Sequence, residues 1–134
     1  MLKMSMQSYC INPDRPVFQD GHGIRKTPAV GVYGDLQAIA MWLEIDGKRL
    51  LLGSIDIICI NPDMIEKIQK ALFNQFALPK ENIIVCAAHT HSGPAVDNDS
   101  KYDYPIDDSY RDSIIQTFID AAVDCYDRLK PVKT

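Results

Sequence analysis

The chain has 134 residues, a hydrophobic fraction of 46% and a formal net charge of −4, values that fit one domain with a core of ordinary composition and modest size. Its 14 Lys and Arg stand against 18 Asp and Glu with no long basic run, which argues against nucleic acid as the main partner, because neutralising phosphates needs clustered cations. No stretch approaches the length of a transmembrane helix and the first eight residues lack the apolar centre of a signal peptide, so a cytoplasmic protein is expected.

Taken in order, Met4–Ile11 alternates loosely and reads as a first strand, on a sheet edge. From Asn12 to Asp35, three prolines and four glycines break any regular element. An irregular run of that length in a compact domain is either functional or a surface-wrapping segment. It contains His22, Arg25, Tyr33 and Asp35.

Gln37–Ile45 reads as a strand that is apolar on both faces, and both are therefore expected to be covered. Asp46-Gly47 is a strong hairpin signal, and the returning strand runs over Lys48–Ile60. Asp56 interrupts it; a carboxylate among Ile55, Ile57 and Ile58 either caps a neighbouring element or belongs to a site at the strand's end. Asn61-Pro62-Asp63 opens a helix with an N-cap, a first-turn proline and an acid, and Ile65, Ile68, Leu72 and Phe76 form its buried stripe. Pro79 stops it, and Asn82–Ala88 reads as a buried strand.

That strand runs into His89-Thr90-His91-Ser92-Gly93-Pro94. In an extended backbone residues i and i+2 point the same way, so the two imidazoles would share one space, as a metal or acid–base site requires. A bare His-x-His more often marks a polar strand end, but here Gly93 can take unusual backbone angles and Pro94 fixes the exit. An acidic loop follows, Ala95–Asp107, with Asp97, Asp99, Asp103, Tyr102 and Tyr104: a solvated excursion, or a lid if it lies beside a site. The last helix spans Asp108–Leu129 and buries Ile114, Phe118, Ala121, Cys125 and Leu129.

The expected fold class is α/β: a mixed β-sheet with a β-hairpin, then a right-handed β-α-β crossover, then a C-terminal helix. The crossover would bring Asp56 and His89 to one edge of the sheet. The four cysteines (Cys10, Cys59, Cys86, Cys125) form no CxxC pair and three lie in apolar runs, so they read as reduced core residues and not as a structural zinc site.

The segments Gly31-Val32-Tyr33-Gly34-Asp35-Leu36, Ser54-Ile55-Asp56-Ile57 and Asn82-Ile83-Ile84-Val85, running into the His-Thr-His-Ser-Gly-Pro motif, resemble the N-terminal domain of neutral/alkaline non-lysosomal ceramidases. Asn12-Pro13-Asp14-Arg15-Pro16 and Gly21-His22-Gly23-Ile24-Arg25 look like that family's opening, and bacterial ceramidase-like proteins of unassigned substrate share the pattern. The resemblance covers roughly residues 11 to 129, and the histidine motif is its specific part.

The resemblance implies a zinc-dependent amidohydrolase cleaving an N-acyl amide, with His89 as a zinc ligand and His91 as a catalytic residue near substrate or the reacting water. The family's second histidine, glutamate and tyrosine ligands, and its serine, lie beyond the point matching Thr134, and Ile39 stands where the family often carries an arginine. Catalytic zinc takes three protein ligands plus water, so His22, Asp35 or Asp56 would have to complete the site, with Arg25 and Ser92 as further candidates. Three expectations follow: a domain holding the first part of a zinc site for a small or lipid-like amide; an inactive binding or assembly module of the same fold; or a hydrolase completed by oligomerisation. If the family's second half is absent, an apolar face is left bare, and a homo-oligomer is expected to cover it.

Overall fold

The computed structural model describes residues 1–97 and 104–132. Among these residues five strands form one mixed sheet in the order β4-β3-β2-β1-β5. They are β1 (Leu2–Cys10), β2 (Gln37–Ile45), β3 (Lys48–Ile55), β4 (Ile83–Ala87) and a two-residue β5 (Lys130–Pro131); the helices are α1 (Pro62–Phe76) and α2 (Asp108–Asp127).

Local chemistry sets most boundaries. Asp46 and Gly47 both take positive φ, 50° and 80°, as a tight hairpin turn matched to sheet twist requires, and β2 pairs antiparallel with β3 from Ile45↔Lys48 onward. Asn61 caps α1 by accepting from the Met64 N–H at 3.0 Å, and Ala77 ends it in the left-handed region. The chain then returns so that β4 lies parallel to β3, Ile55 opposite Ala87. Asp107 caps α2 through the Tyr110 N–H at 2.9 Å.

β3 ends at Ile55, earlier than the expected Ile60, because Asp56 turns its carboxylate onto the backbone N–H of Gln37 (2.9 Å) and its own N–H onto the Gln37 carbonyl. β1 starts at Leu2, two residues before the alternation does, by pairing with the end of β2.

Both helices pack on one face of the sheet. Trp42, Leu51 and Ile55 from the strands meet Met64, Ile68 and Leu72 of α1 and Ile114, Phe118 and Cys125 of α2, all essentially inaccessible. Trp42 sits at the centre, donating Nε1–H to the Ala122 carbonyl at 2.7 Å and meeting Phe76 and Tyr126 edge-on. The α1 stripe differs at two of its four positions: Ile65 and Phe76 are half-buried, and Met64 is buried with Ile68 and Leu72.

Three expectations are corrected. Among the described residues nothing covers the other face of the sheet, so only one face of β2 is buried. β4 is an edge strand and not a buried one: Ile84 is 49% exposed and Cys86 is exposed, because both point to that open face. Cys125 alone of the four cysteines is buried, and all four are free thiols. No helix of the described residues is long and apolar enough to cross a membrane.

Candidate functional site

The site lies where β3 and β4 end together. The Ala88 N–H donates to the Ile55 carbonyl at 2.9 Å, extending the ladder one residue past β4. His89 then leaves the sheet in the left-handed region, φ 60°, which costs a bulky residue on the order of 1–3 kcal/mol and occurs preferentially at functional sites. The extended-backbone argument for the His-x-His pair is therefore not how the rings meet. A left-handed residue followed by a turn brings His89 and His91 together, ring centroids 5.1 Å apart and nearly perpendicular.

The N-terminal irregular segment is stapled to this loop. Gln19 and Pro94 form an isolated antiparallel bridge, with the Asp20 N–H donating to the Gly93 carbonyl (3.1 Å) and the Ala95 N–H to the Phe18 carbonyl (2.7 Å). The bridge carries Gly21 and His22 alongside. His22 lies 5.7 Å from His91 by ring centroids, so all three histidines of the chain gather in one exposed cluster. Gly93 does not take a positive φ, contrary to its expected use; it is small because a side chain there would press on the Asp56 carbonyl.

The hydrogen bonds assign the tautomers. His89 Nδ1 lies 2.7 Å from the Ile58 carbonyl and His91 Nδ1 lies 3.1 Å from the Gly21 carbonyl. A carbonyl only accepts, so in the neutral rings Nδ1 carries the proton and Nε2 keeps its lone pair. Backbone carbonyls holding Nδ1–H are the usual support of metal-ligating or basic imidazoles.

The remaining candidates divide. Asp56 is used structurally, clamping the β2–β3 end through Gln37. Asp35 accepts from Asn12 Nδ2 at 2.7 Å and lines a cleft of about 540 Å³ beside the histidine loop. Arg25 and Ser92 line the same cleft, with Val17, Val32 and Leu36 among its apolar walls; the three imidazoles are not part of those walls. Tyr104 braces the cluster by donating to the His22 carbonyl at 2.6 Å and stacking on Phe18. Asp99, Tyr102 and Asp103 of the expected lid lie outside the described residues.

Asp20 escaped the sequence reading, and Cys59 reads there only as a reduced core residue with no link to the histidine loop. Asp20 is 4% exposed and accepts from the Gly21 N–H at 2.6 Å, fixing the glycine that holds His91. Cys59 follows the carbonyl that holds His89, and its thiol lies 3.3 Å from Asp97 Oδ2. Burial first, then that hydrogen bond and the charges of Asp97 and Asp20, push its pKa up to about 12, so it is a protonated packing group and not a thiolate ligand. A lone acid in a Gly- and Pro-rich run carries no periodicity, so nothing in the sequence marked Asp20.

Tested as a zinc site, the cluster fits in part. It offers two imidazoles with oriented Nε2 atoms, but among the described residues no group of three His, Cys, Asp or Glu side chains is arranged to hold a metal ion.

A hairpin, a parallel crossover and a C-terminal helix, with paired histidines leaving the parallel pair, define a ceramidase-like α/β fold. Two solved structures share it. The neutral ceramidase from Pseudomonas aeruginosa superposes with a TM-score of 0.87 at 19% identity, over 97% of this chain and 22% of that one. A ceramidase complexed with C2 superposes at 0.85 and 20% identity, again over 97% and 22%. The chain thus spans about 22% of the length of the ceramidases it matches. No protein-family model matches it, and no curated protein matches it by sequence.

Proposed function

We propose that this chain is the histidine-bearing part of a zinc-dependent amidohydrolase acting on the N-acyl bond of a lipid-like amide. The observation that carries the reading is the orientation of the two imidazoles: each ring has its Nδ1–H tied to a backbone carbonyl, leaving the Nε2 lone pair free to ligate. His89 would hold zinc. His91, at the same opening, would meet substrate or water. Zinc, when bound, supplies polarisation of the amide carbonyl and a water of lowered pKa. The likeness to ceramidases raises the prior by fold analogy and carries no residue role by itself. The adjoining cleft has the size of a small-molecule site, within roughly 300–1,000 Å³, and its apolar walls with Arg25 and Ser92 at the rim suit an amphipathic ligand.

Two imidazoles do not make a catalytic zinc site, which takes three protein ligands. The further ligands would come from residues outside the described set. The absence of a three-ligand group among the described residues favours a second reading, a module that keeps the fold without activity. Titration of the purified chain with Zn²⁺, followed by calorimetry and by the imidazole NMR signals, separates the two. The first reading expects one zinc per site, perturbing His89 and His91 and lost in His89→Ala. Zinc-insensitive imidazole signals would sink it in favour of the module.

A further inference from the structure

We propose that Asp20 and Asp56 are positioning residues, one for each imidazole: Asp20 acts on His91 through the Gly21 carbonyl, and Asp56 acts on His89 through the Ile58 carbonyl. Each fixes the carbonyl to which a ring donates, so the proton stays on Nδ1 and the Nε2 lone pair stays free. A neutral imidazole carries its proton on either nitrogen, and the bond made by one nitrogen decides the state of the other. Here the deciding acceptor is a loop carbonyl, which is only as fixed as the peptide that bears it.

On the His91 side the mobile element is Gly21, since glycine reaches more backbone conformations than any other residue. Its neighbours are pinned in turn. The Asp20 N–H donates to the Gly93 carbonyl at 3.1 Å, the Gly21 N–H to Asp20 Oδ1 at 2.6 Å, and the Tyr104 hydroxyl to the His22 carbonyl at 2.6 Å. Between these bonds the Gly21 carbonyl meets His91 Nδ1 at 3.1 Å. Asp20 is 4% exposed, and a buried carboxylate is costly unless polar contacts use it. It holds the residue whose carbonyl sets the ring.

On the His89 side the support comes from the sheet. The Asp56 carboxylate accepts from the Gln37 N–H at 2.9 Å and the Asp56 N–H donates to the Gln37 carbonyl at 2.9 Å, a two-point grip on the first residue of β2. The chain then bends at once. The Ile57 N–H donates to the Ile55 carbonyl at 2.8 Å, and Ile57 is fully buried. The next carbonyl, that of Ile58, meets His89 Nδ1 at 2.7 Å.

The inference rests on the proposed function only for the use made of the lone pairs; the tautomers themselves are read in the zinc-free chain. Ring nitrogen shifts of the full 134-residue chain report them at about pH 8.5, roughly two units above the ordinary imidazole pKa. In the parent, Nε2 of both rings should be unprotonated. Asp20→Ala should move His91 towards the Nε2–H form and leave His89 unchanged, and Asp56→Ala should do the reverse. Asp20→Asn and Asp56→Asn keep an accepting oxygen and should restore the parent shifts. A parent ring protonated on Nε2, an alanine variant that shifts both rings together or neither, or an asparagine variant that behaves like alanine would overturn the proposal. So would an alanine variant that fails to fold, which would make that carboxylate a support of the whole domain. This crossed pattern in a chain indifferent to zinc sinks the proposed function alone; zinc binding at His89 without the pattern sinks this inference alone.

Discussion

The Gly21 carbonyl lies 3.1 Å from His91 Nδ1, and a Cβ on Gly21 would fall 2.7 Å from that same ring. The glycine therefore serves the histidine twice, as acceptor and as empty space, and its φ of 95° is one that other residues adopt only under strain. Gly21→Ala should cost about 1–3 kcal/mol from overpacking and backbone strain together, and should release the His91 ring. Urea unfolding followed by Trp42 fluorescence gives the stability, and the nitrogen shifts of His91 report loss of the fixed Nδ1–H tautomer. Unchanged His91 shifts in a folded Gly21→Ala protein would refute the cradle.

His89 holds its left-handed backbone through the Ile58 bond and the turn that follows. Removing the side chain separates the two contributions. His89→Ala loses the bond and keeps the backbone cost; His89→Gly loses the bond and the cost together. The glycine variant should be more stable than the alanine variant by about 1 kcal/mol. Equal melting temperatures for the two would mean that His89 relaxes out of the left-handed region when truncated.

Much of this arrangement was legible in the chain itself, for stated reasons. Asp46-Gly47 reads as a hairpin because both residues tolerate positive φ, and Asn61-Pro62-Asp63 reads as a helix start because each satisfies a different need of the first turn. The sheet's open face was not legible. Alternation shows that Ile39, Met41 and Leu43 share a side, but not whether another element of the chain lies over them. The Gln19–Pro94 bridge was hidden likewise, since isolated pairing between two irregular segments leaves no pattern. It places His22 beside His91, a proximity that no spacing in the sequence encodes.

Arg15 reaches across the fold to the start of α2. Its Nε donates to Asp107 Oδ2 at 2.7 Å and its Nη2 to Oδ1 at 3.0 Å, while Asp107 also accepts from the Tyr110 and Ser109 side of the cap. The guanidinium bonds above all, with the Tyr110 N–H next, hold the Asp107 carboxyl well below the usual carboxylate range. A carboxyl depressed in the folded state adds stability that is complete above its unfolded pKa, roughly 4, and is lost as pH falls through the folded value. Asp107→Ala should therefore melt lower than the parent at neutral pH, by more than Asp108→Ala does, and the gap should narrow as pH falls well below 4. Melting curves between neutral pH and strong acid check this; a gap that stays constant would remove the ionised carboxylate from the explanation.

The cysteines offer a test of the ground beneath the histidine loop. Cys10 and Cys86 are exposed, whereas Cys125 is fully buried behind Trp42 and Ser5, its thiol on the Ala40 carbonyl. Cys59 is partly accessible, yet burial and the neighbouring Asp97 keep its thiol protonated far above neutral pH. Because the thiolate is the nucleophile, alkylation at mildly alkaline pH should modify Cys10 and Cys86 quickly and leave Cys59 and Cys125 behind, as peptide mass mapping would show. Asp97→Asn removes the negative charge facing the thiol, lowers its pKa and should speed modification of Cys59 selectively. Rapid labelling of Cys59 in the parent chain would mean that the loop opens in solution, and with it the support that the Ile58 carbonyl gives His89.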